Sequence, residues 1–384
     1  MDGRFEQALT DRKAKGLLRR LRGIEPSRPG FVKRDGRELL DLSSNDYLGL
    51  AYHPVLATRA CEWAKEYGTG ARASRLVTGT LEAYLHVERK VATFKGCEAA
   101  LLLASGWQAN ATIFPALMAL LPKAQIFADR LVHASIHHGI AAAGARQIRF
   151  RHNDYDHLAE LLVKRGGRDD PPLMVTESVF SMDGDCADLA RLVGIAREHG
   201  AFLIVDEAHA TGTLGPRGAG LSAALDDKPD LVMGTFSKAM GSFGAYIAGS
   251  QALIDYLVNV ASGVIYSTAL PPPVLGAIDA ALDLVPEMDA ERAQLTALAL
   301  QLREGLAARG YDTGASDTQI VPLLVGPEEK ALTLAQALEE RGILGIAIRP
   351  PTVPAGSSRI RFALSAAHTQ DDVTRVLEAV RAVA

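Results

Sequence analysis

Cysteine is scarce in this chain. Three thiols, Cys61, Cys97 and Cys186, are scattered over 384 residues with no CxxC or CxH spacing. That excludes a disulfide framework and a zinc site of ordinary ligand spacing, and it points to a reducing compartment. A strong excess of one charge is also missing. The net charge is −4 and the pI about 6.2, which argues against nucleic acid as a partner. The N-terminus carries charges but no apolar core of the secretory type, so a cytoplasmic location is expected. No long run is free of polar groups. The most apolar stretch, Ala99 to Leu121, holds Ser105, Gly106, Gln108 and Asn110. It makes a poor membrane span and a better strand, polar loop and buried helix. Internal repeats and low-complexity linkers are absent. No Gly-Lys dipeptide occurs, which excludes the GxxxxGK[ST] phosphate loop of an ATPase or helicase, although Asp206-Glu207-Ala208-His209 spells a DEAH box.

What is present is ordinary for a soluble globular protein. Hydrophobic residues make up 48% and charged residues 22%, and the length suffices for two domains. The first 37 residues are locally basic, with eleven Lys/Arg against five Asp/Glu. Arg4 to Arg22 is expected to form a helix with Leu9, Leu17, Leu18 and Leu21 as its apolar positions. It is either a solvated helix docked on the body or a site for an anionic substrate, with Arg19 and Arg20 as candidates. Further on, apolar runs at Ala100–Leu103, Gln125–Ala128, Leu173–Thr176, Phe202–Asp206 and Leu231–Gly234 alternate with helix-like stretches such as Ala187 to Gly200. That alternation predicts an α/β fold with a largely parallel sheet. Composition changes near Pro271-Pro272-Pro273. A long helix is expected from about Ala277, then a strand near Ile320–Val325, a helix from Glu328 to Arg341 and a strand at Arg359–Leu364. A last helix should be capped by Thr369 with Asp372. The expected division is an N-terminal helical segment over 1–48, a large domain over 49–276 and a smaller C-terminal α/β domain over 277–384.

In parallel sheets of this kind the ligand lies beyond the carboxyl ends of the strands. Two such ends are chemically complementary. Phe202-Leu203-Ile204-Val205 runs into Asp206, and Leu231-Val232-Met233 runs into Gly234-Thr235-Phe236-Ser237-Lys238. Pyridoxal phosphate asks for this pair. A lysine amine holds its aldehyde, and a carboxylate keeps its pyridine nitrogen protonated so that the ring accepts electrons. The lysine must be neutral to attack, so burial or a nearby cation should lower its pKa. His209 is close enough to reach the ring hydroxyl, or is a core histidine. His133 follows another strand and either lies flat on the ring or caps a helix. His137 and His138 raise a metal reading, which the lack of a carboxylate at ligand spacing opposes. For the phosphate, Ser105-Gly106-Trp107 opens a helix whose free amides suit an anion, and Thr235 and Ser237 add hydroxyls.

With these residues in place, the chain closely resembles the α-oxoamine synthases, a family of fold-type I pyridoxal phosphate enzymes. The resemblance spans nearly the whole chain. It includes Ser43 to Gly49, Asp129-Arg130 with His133-Ala134-Ser135, Val179 to Asp185, Asp206 to His209, Thr235 to Lys238, Tyr266-Ser267-Thr268 and Ile348 to His368. It implies that Lys238 carries the cofactor and later moves the substrate's Cα proton. Asp206 then pairs with the ring nitrogen, His133 stacks on the ring, and His209 and Ser181 bond the ring hydroxyl. Gly106, Trp107 and Thr235 hold the phosphate, with Thr268 reaching it from the partner of a homodimer. Asn45 and Arg361 face the amino-acid carboxylate, and Arg19 and Thr352 face the acyl substrate. The segment Ile348 to Gly356, with its Arg-Pro-Pro start, resembles the members that condense L-alanine with a pimeloyl thioester of coenzyme A or a carrier protein.

Two positions depart from the family pattern. Tyr84 stands where a histidine is usual, and Trp107 replaces a Phe or Tyr beside the cofactor. A sister activity on glycine or serine with another acyl-CoA is the nearest rival. A cofactor-free scaffold subunit is a further one, opposed by the joint presence of Lys238, Asp206 and His133.

Overall fold

The computed structural model describes residues 1–14, 16–166 and 169–383. Its centre is a seven-stranded sheet. Phe202–Asp206 lies in the middle. Leu173–Glu177, Ile126–Asp129 and Gln147–Phe150 follow on one side. Leu231–Thr235, Ala245–Gly249 and Ala99–Leu103 follow on the other. All strands point the same way except Ala245–Gly249, which is antiparallel to both its neighbours. The five expected strands are present, each within a residue or so of its expected bounds. Two more were not foreseen. Gln147–Phe150 is a half-exposed edge strand with Arg149 in it. Ala245–Gly249 reads Ala-Tyr-Ile-Ala-Gly, a weak strand sequence, yet all five residues are buried between neighbours.

Helices cover the sheet as its apolar strands require. Gly106–Leu120 packs on Ala134–Ala142 and on the sheet, so Ala99 to Leu121 is the strand, loop and buried helix expected. The C-terminal part forms a three-stranded sheet of Ile320–Gly326, Ser358–Ala363 and Ile346–Ile348, flanked by Glu328–Glu340 and Gln370–Val383. Thr369 and Asp372 cap the last helix reciprocally, with N–H to side-chain distances of 2.9 and 3.1 Å. The long helix expected from Ala277 is two helices, Pro272–Leu284 and Asp289–Ala307. A turn containing Pro286 separates them, because proline lacks the N–H that would continue the helix.

The N-terminus differs most from expectation. Its helix spans Asp2–Ala14 rather than reaching Arg22, and none of its residues is buried. Gly16, at φ 65°, ends it: its N–H donates to the Lys13 carbonyl at 3.0 Å and that of Leu17 to Arg12 at 2.8 Å. The expected apolar stripe therefore never forms one face. After it, Phe31–Arg34 and Arg37–Asp41 make a hairpin that pairs in parallel with Ile343–Leu344. The early chain is thus woven into the C-terminal part.

One polar cluster fixes the loop that follows Leu173–Glu177. The His152 ring lies between Asp129 (Nδ1 to Oδ1, 3.0 Å) and Asp185 (Nε2 to Oδ2, 2.8 Å). Phe180 packs edge-on against it, with centroids 4.3 Å apart. Burial opposes the charged ring, but the two carboxylates outweigh it together and raise its pKa to about 9. The folded value lies above the ordinary 6.5, so this clamp stabilises most at low pH. Stability should therefore decline as pH rises from about 6.5 to about 9. Urea midpoints measured across that window should show this slope in the native chain and lose it in H152N. An equal slope in both would remove His152 as its source.

Candidate active site

The strand ends converge as expected. Lys238, Asp206, His133, His209, Gly106, Trp107 and Thr235 all line one cavity of about 240 Å³. It is compact, below the roughly 300–1,000 Å³ typical of drug-sized ligand pockets. Asn110, Ser135 and Glu177 complete its wall.

Asp206 ends the central strand, 5% exposed. Its Oδ1 accepts from the Ala208 N–H at 2.9 Å and its Oδ2 from the Asn110 amide at 2.9 Å. Each oxygen keeps a lone pair for a further donor. Lys238 follows the neighbouring strand. Its amine opens into the cavity and lies 2.9 Å from His209 Nε2. Desolvation pulls the Lys238 pKa down to about 8, with the Asp206 charge opposing and Arg361 reinforcing the fall. A useful fraction is thus neutral near pH 7, as a nucleophilic amine requires.

His209 is fully enclosed, and burial first, then the Lys238 and Arg361 charges, hold its pKa well below the ordinary value. It is a neutral link. Its Nδ1 meets the Tyr47 hydroxyl at 2.7 Å, and Tyr47 in turn meets Arg361 Nη2 at 3.3 Å and Asn45 Oδ1 at 3.0 Å. Arg361 also donates to Asn45 Oδ1 at 3.2 Å and, through Nε, to the Ser181 carbonyl at 2.6 Å. A continuous polar chain therefore joins the lysine to a buried guanidinium.

Sequence reasoning gave no role to Asn110, Ser135 or Tyr47; Glu177 was expected at this crevice as a strand-end residue, without a role of its own. Glu177 pairs in register with Asp206 across adjacent strands. Burial first and the Asp206 charge second raise its pKa well above the carboxylate range, so it is a neutral acid. Its Oε1 is buried without a hydrogen-bond partner. Position after an apolar strand was the available signal for Glu177. Tyr47 sits inside the Ser43-to-Gly49 motif. Asn110 and Ser135 gave no signal apart from their neighbours.

Other expected residues lie outside this cavity. Ser181 is beside it through its carbonyl contact with Arg361. Thr268 is exposed and pairs in a short bridge with Ser74, in a cleft with Arg75 and Tyr84. Arg19 and Thr352 line a separate groove of about 850 Å³, together with Arg20, Arg22, Arg34 and Arg349. Much of that positive charge is already matched, since Glu339 binds both Arg22 at 2.9 Å and Arg34 at 3.1 Å. His133 caps the helix Ala134–Ala142 and also lines the cavity. His137 turns to Gln147, 2.9 Å away.

The residues present fit pyridoxal phosphate. A buried carboxylate with spare lone pairs suits a protonated ring nitrogen, and a neutralisable amine stands across from it. The unpartnered Glu177 oxygen marks a wall that a polar ligand completes. The first amides of Gly106–Leu120, which lack partners within the helix, form a rim suited to phosphate, with Thr235 lining the cavity beside them.

Comparison with known proteins agrees. The family model described as aminotransferase class I and II matches residues 37–380. The serine palmitoyltransferase of S. paucimobilis, solved with bound PLP and myriocin, superposes with a TM-score of 0.92 at 28% identity, over 99% of this chain and 96% of that one. The chain belongs to the aminotransferase class I and II family and is a pyridoxal-phosphate-dependent transferase of fold type I. Within that family it stands with the 8-amino-7-oxononanoate synthases, acyltransferases of biotin synthesis. The one from Gluconacetobacter diazotrophicus is 59% identical over 98% of this chain and 96% of its own length. That of Geobacter sulfurreducens is 47% identical over 96% and 94%. The solved synthase of Francisella tularensis has a TM-score of 0.78 at 27% identity, over 89% and 96%. Among the described residues, no helix is long and apolar enough to cross a membrane.

In the cofactor-free enzyme, amine labelling at Lys238 should titrate near about 8. D206N should move that titration lower, because the carboxylate holds it up. E177Q should leave it in place, because Glu177 is already neutral. A downward move in E177Q would mean that Glu177 is ionised.

Proposed function

We propose that this enzyme condenses L-alanine with a pimeloyl thioester, of coenzyme A or a carrier protein, to give 8-amino-7-oxononanoate, carbon dioxide and free thiol. The observation that carries this reading is the polar chain from Lys238 through His209 and Tyr47 to Arg361 and Asn45. It sets a cationic carboxylate receptor beside a reactive amine, which is the geometry an α-amino acid needs. The names of the curated relatives support the acyl partner.

When bound, pyridoxal phosphate supplies an electron sink for the charge left as a bond to the amino acid's Cα breaks. The protein's share is placement and proton transfer. Lys238 would hold the cofactor, and its amine is the base placed to take the Cα proton. Asp206 would keep a negative charge at the ring nitrogen. His209 and Ser181 would bond the ring hydroxyl, and Gly106, Trp107 and Thr235 would hold the phosphate. Asn45 and Arg361 grip the amino-acid carboxylate, and that grip must yield when the carboxylate leaves as carbon dioxide. His133 would cover one face of the ring. Arg19 and Thr352 line the groove that takes the acyl substrate.

The enzyme acts as a cytoplasmic homodimer in this reading, with Thr268 completing the partner's phosphate site. Apolar side chains near Thr268 support that arrangement: Tyr266 is 83% exposed, Val77 73% and Leu76 54%. Such surface is more than a lone subunit needs to leave uncovered. The large domain is taken to span 49–276 and the small one 277–384, with the first 48 residues as an arm.

Purified enzyme should release thiol from pimeloyl-CoA with L-alanine, and far more slowly from acetyl-, succinyl- or palmitoyl-CoA with glycine or serine. Preference for serine with palmitoyl-CoA would transfer the enzyme to the activity of its structural neighbour. K238A should fold with an unchanged circular dichroism spectrum and release no thiol. Full activity in that variant would remove Lys238 from the mechanism.

A further inference from the structure

Asn110 and Ser135 lie in the cavity wall and have no part in the reaction described above. Each is 1% exposed. The Asn110 amide nitrogen lies 2.9 Å from Asp206 Oδ2 and 2.9 Å from Ser135 Oγ. An ionised carboxylate only accepts, so one amide proton goes to Asp206. The reversed amide would set a carbonyl oxygen against that charge. The second and last proton on the same nitrogen goes to Ser135 Oγ, which accepts it. The Ser135 hydroxyl still has its own proton, and His133 Nδ1 lies 2.7 Å away to receive it. The Ser135 backbone N–H aims at the same ring nitrogen from 3.3 Å. Nδ1 therefore faces two donors and has no room for a proton of its own. A neutral imidazole in that setting carries its proton on Nε2.

The direction of every bond in this chain follows from the charge at one end. We propose that Asn110 and Ser135 are positioning residues that transmit the charge of Asp206 to His133 and lock His133 as its Nε2–H tautomer, so that His133 presents a hydrogen-bond donor to the bound substrates. Ring and charge are then set by the same two side chains. Neutrality of the ring agrees with its surroundings. His133 is open on its cavity side, but desolvation on its protein side lowers its pKa, with Asp206 opposing and Lys238 and His137 adding to the fall. A donor at Nε2 suits an oxygen on which negative charge grows, such as a thioester carbonyl under attack. The inference rests on the assignment of His133 to the active site, and not on which amino acid or acyl chain is used.

The test is nitrogen NMR of full-length, cofactor-loaded enzyme carrying 15N-histidine, with the His133 signals assigned by their loss in H133Q. At neutral pH, Nδ1 should resonate as an unprotonated nitrogen and Nε2 as a protonated one. S135A should turn this pattern into an exchanging mixture of tautomers, and S135T, which keeps the hydroxyl, should restore it. N110A should loosen the pattern and also shift the pH titration of the cofactor's absorbance, because Asp206 loses a donor. Thiol release in S135A should fall by up to about a hundredfold in kcat, with little change in KM for the amino acid, as expected for a misplaced reacting group. A protonated Nδ1 in the unsubstituted enzyme would overturn the proposal, and that spectrum needs no variant to fold. An unchanged tautomer in both S135A and N110A would overturn it as well. Neither result depends on substrate choice, so failure of the substrate assignment would be seen separately in the thiol assay.

Discussion

The site is organised around one negative charge. Asp206 ends the middle strand of the sheet, where water is largely excluded. Removing a carboxylate from water costs several kcal/mol unless fixed donors replace the lost hydration. The Ala208 N–H and the Asn110 amide do so. Glu177, on the adjacent strand, is held neutral by its burial first and by this charge second. The same charge keeps the Lys238 pKa from falling further than about 8. His209, enclosed and facing cations, stays uncharged. A cationic ring nitrogen is the ligand such an arrangement balances.

Much of this was legible in the sequence because the fold places strand ends together. An apolar run followed by a polar residue marks a strand end, and a parallel sheet brings all its strand ends to one edge. Residue order alone therefore assigns Asp206, Lys238, His133 and the Gly106 turn to one crevice. The groups behind them could not be placed in this way. Asn110 lies inside an apolar helix and Ser135 at the start of another, and each resembles an ordinary capping or core polar residue. Their importance is a matter of hydrogen-bond direction, which no pattern of residue types encodes.

The misread segments have a common physical cause, which is that tertiary context overrode local preference. Ala245–Gly249 has a composition that disfavours strands, but it is flanked on both sides and fully buried. Leu9, Leu17, Leu18 and Leu21 have plausible helical spacing, but Gly16 adopts a left-handed conformation between them and ends the helix. The hairpin Phe31–Asp41 depends on a partner strand some three hundred residues later, a pairing invisible to local pattern.

The loop between Ser178 and Ala187 is held from both sides. His152 binds it on the side of the large sheet through Asp185. From the C-terminal part, Arg361 binds the Ser181 carbonyl, Arg359 binds Asp183, and Thr318 donates to the Gly184 carbonyl at 2.8 Å. Gly184 itself, at φ 71°, passes so close to the Ile320 carbonyl that any side chain would collide with it. The loop thus acts as a rigid spacer between two bodies. The Arg361 guanidinium, bound to this loop through the Ser181 carbonyl, thereby keeps its place relative to the strand ends of the large sheet.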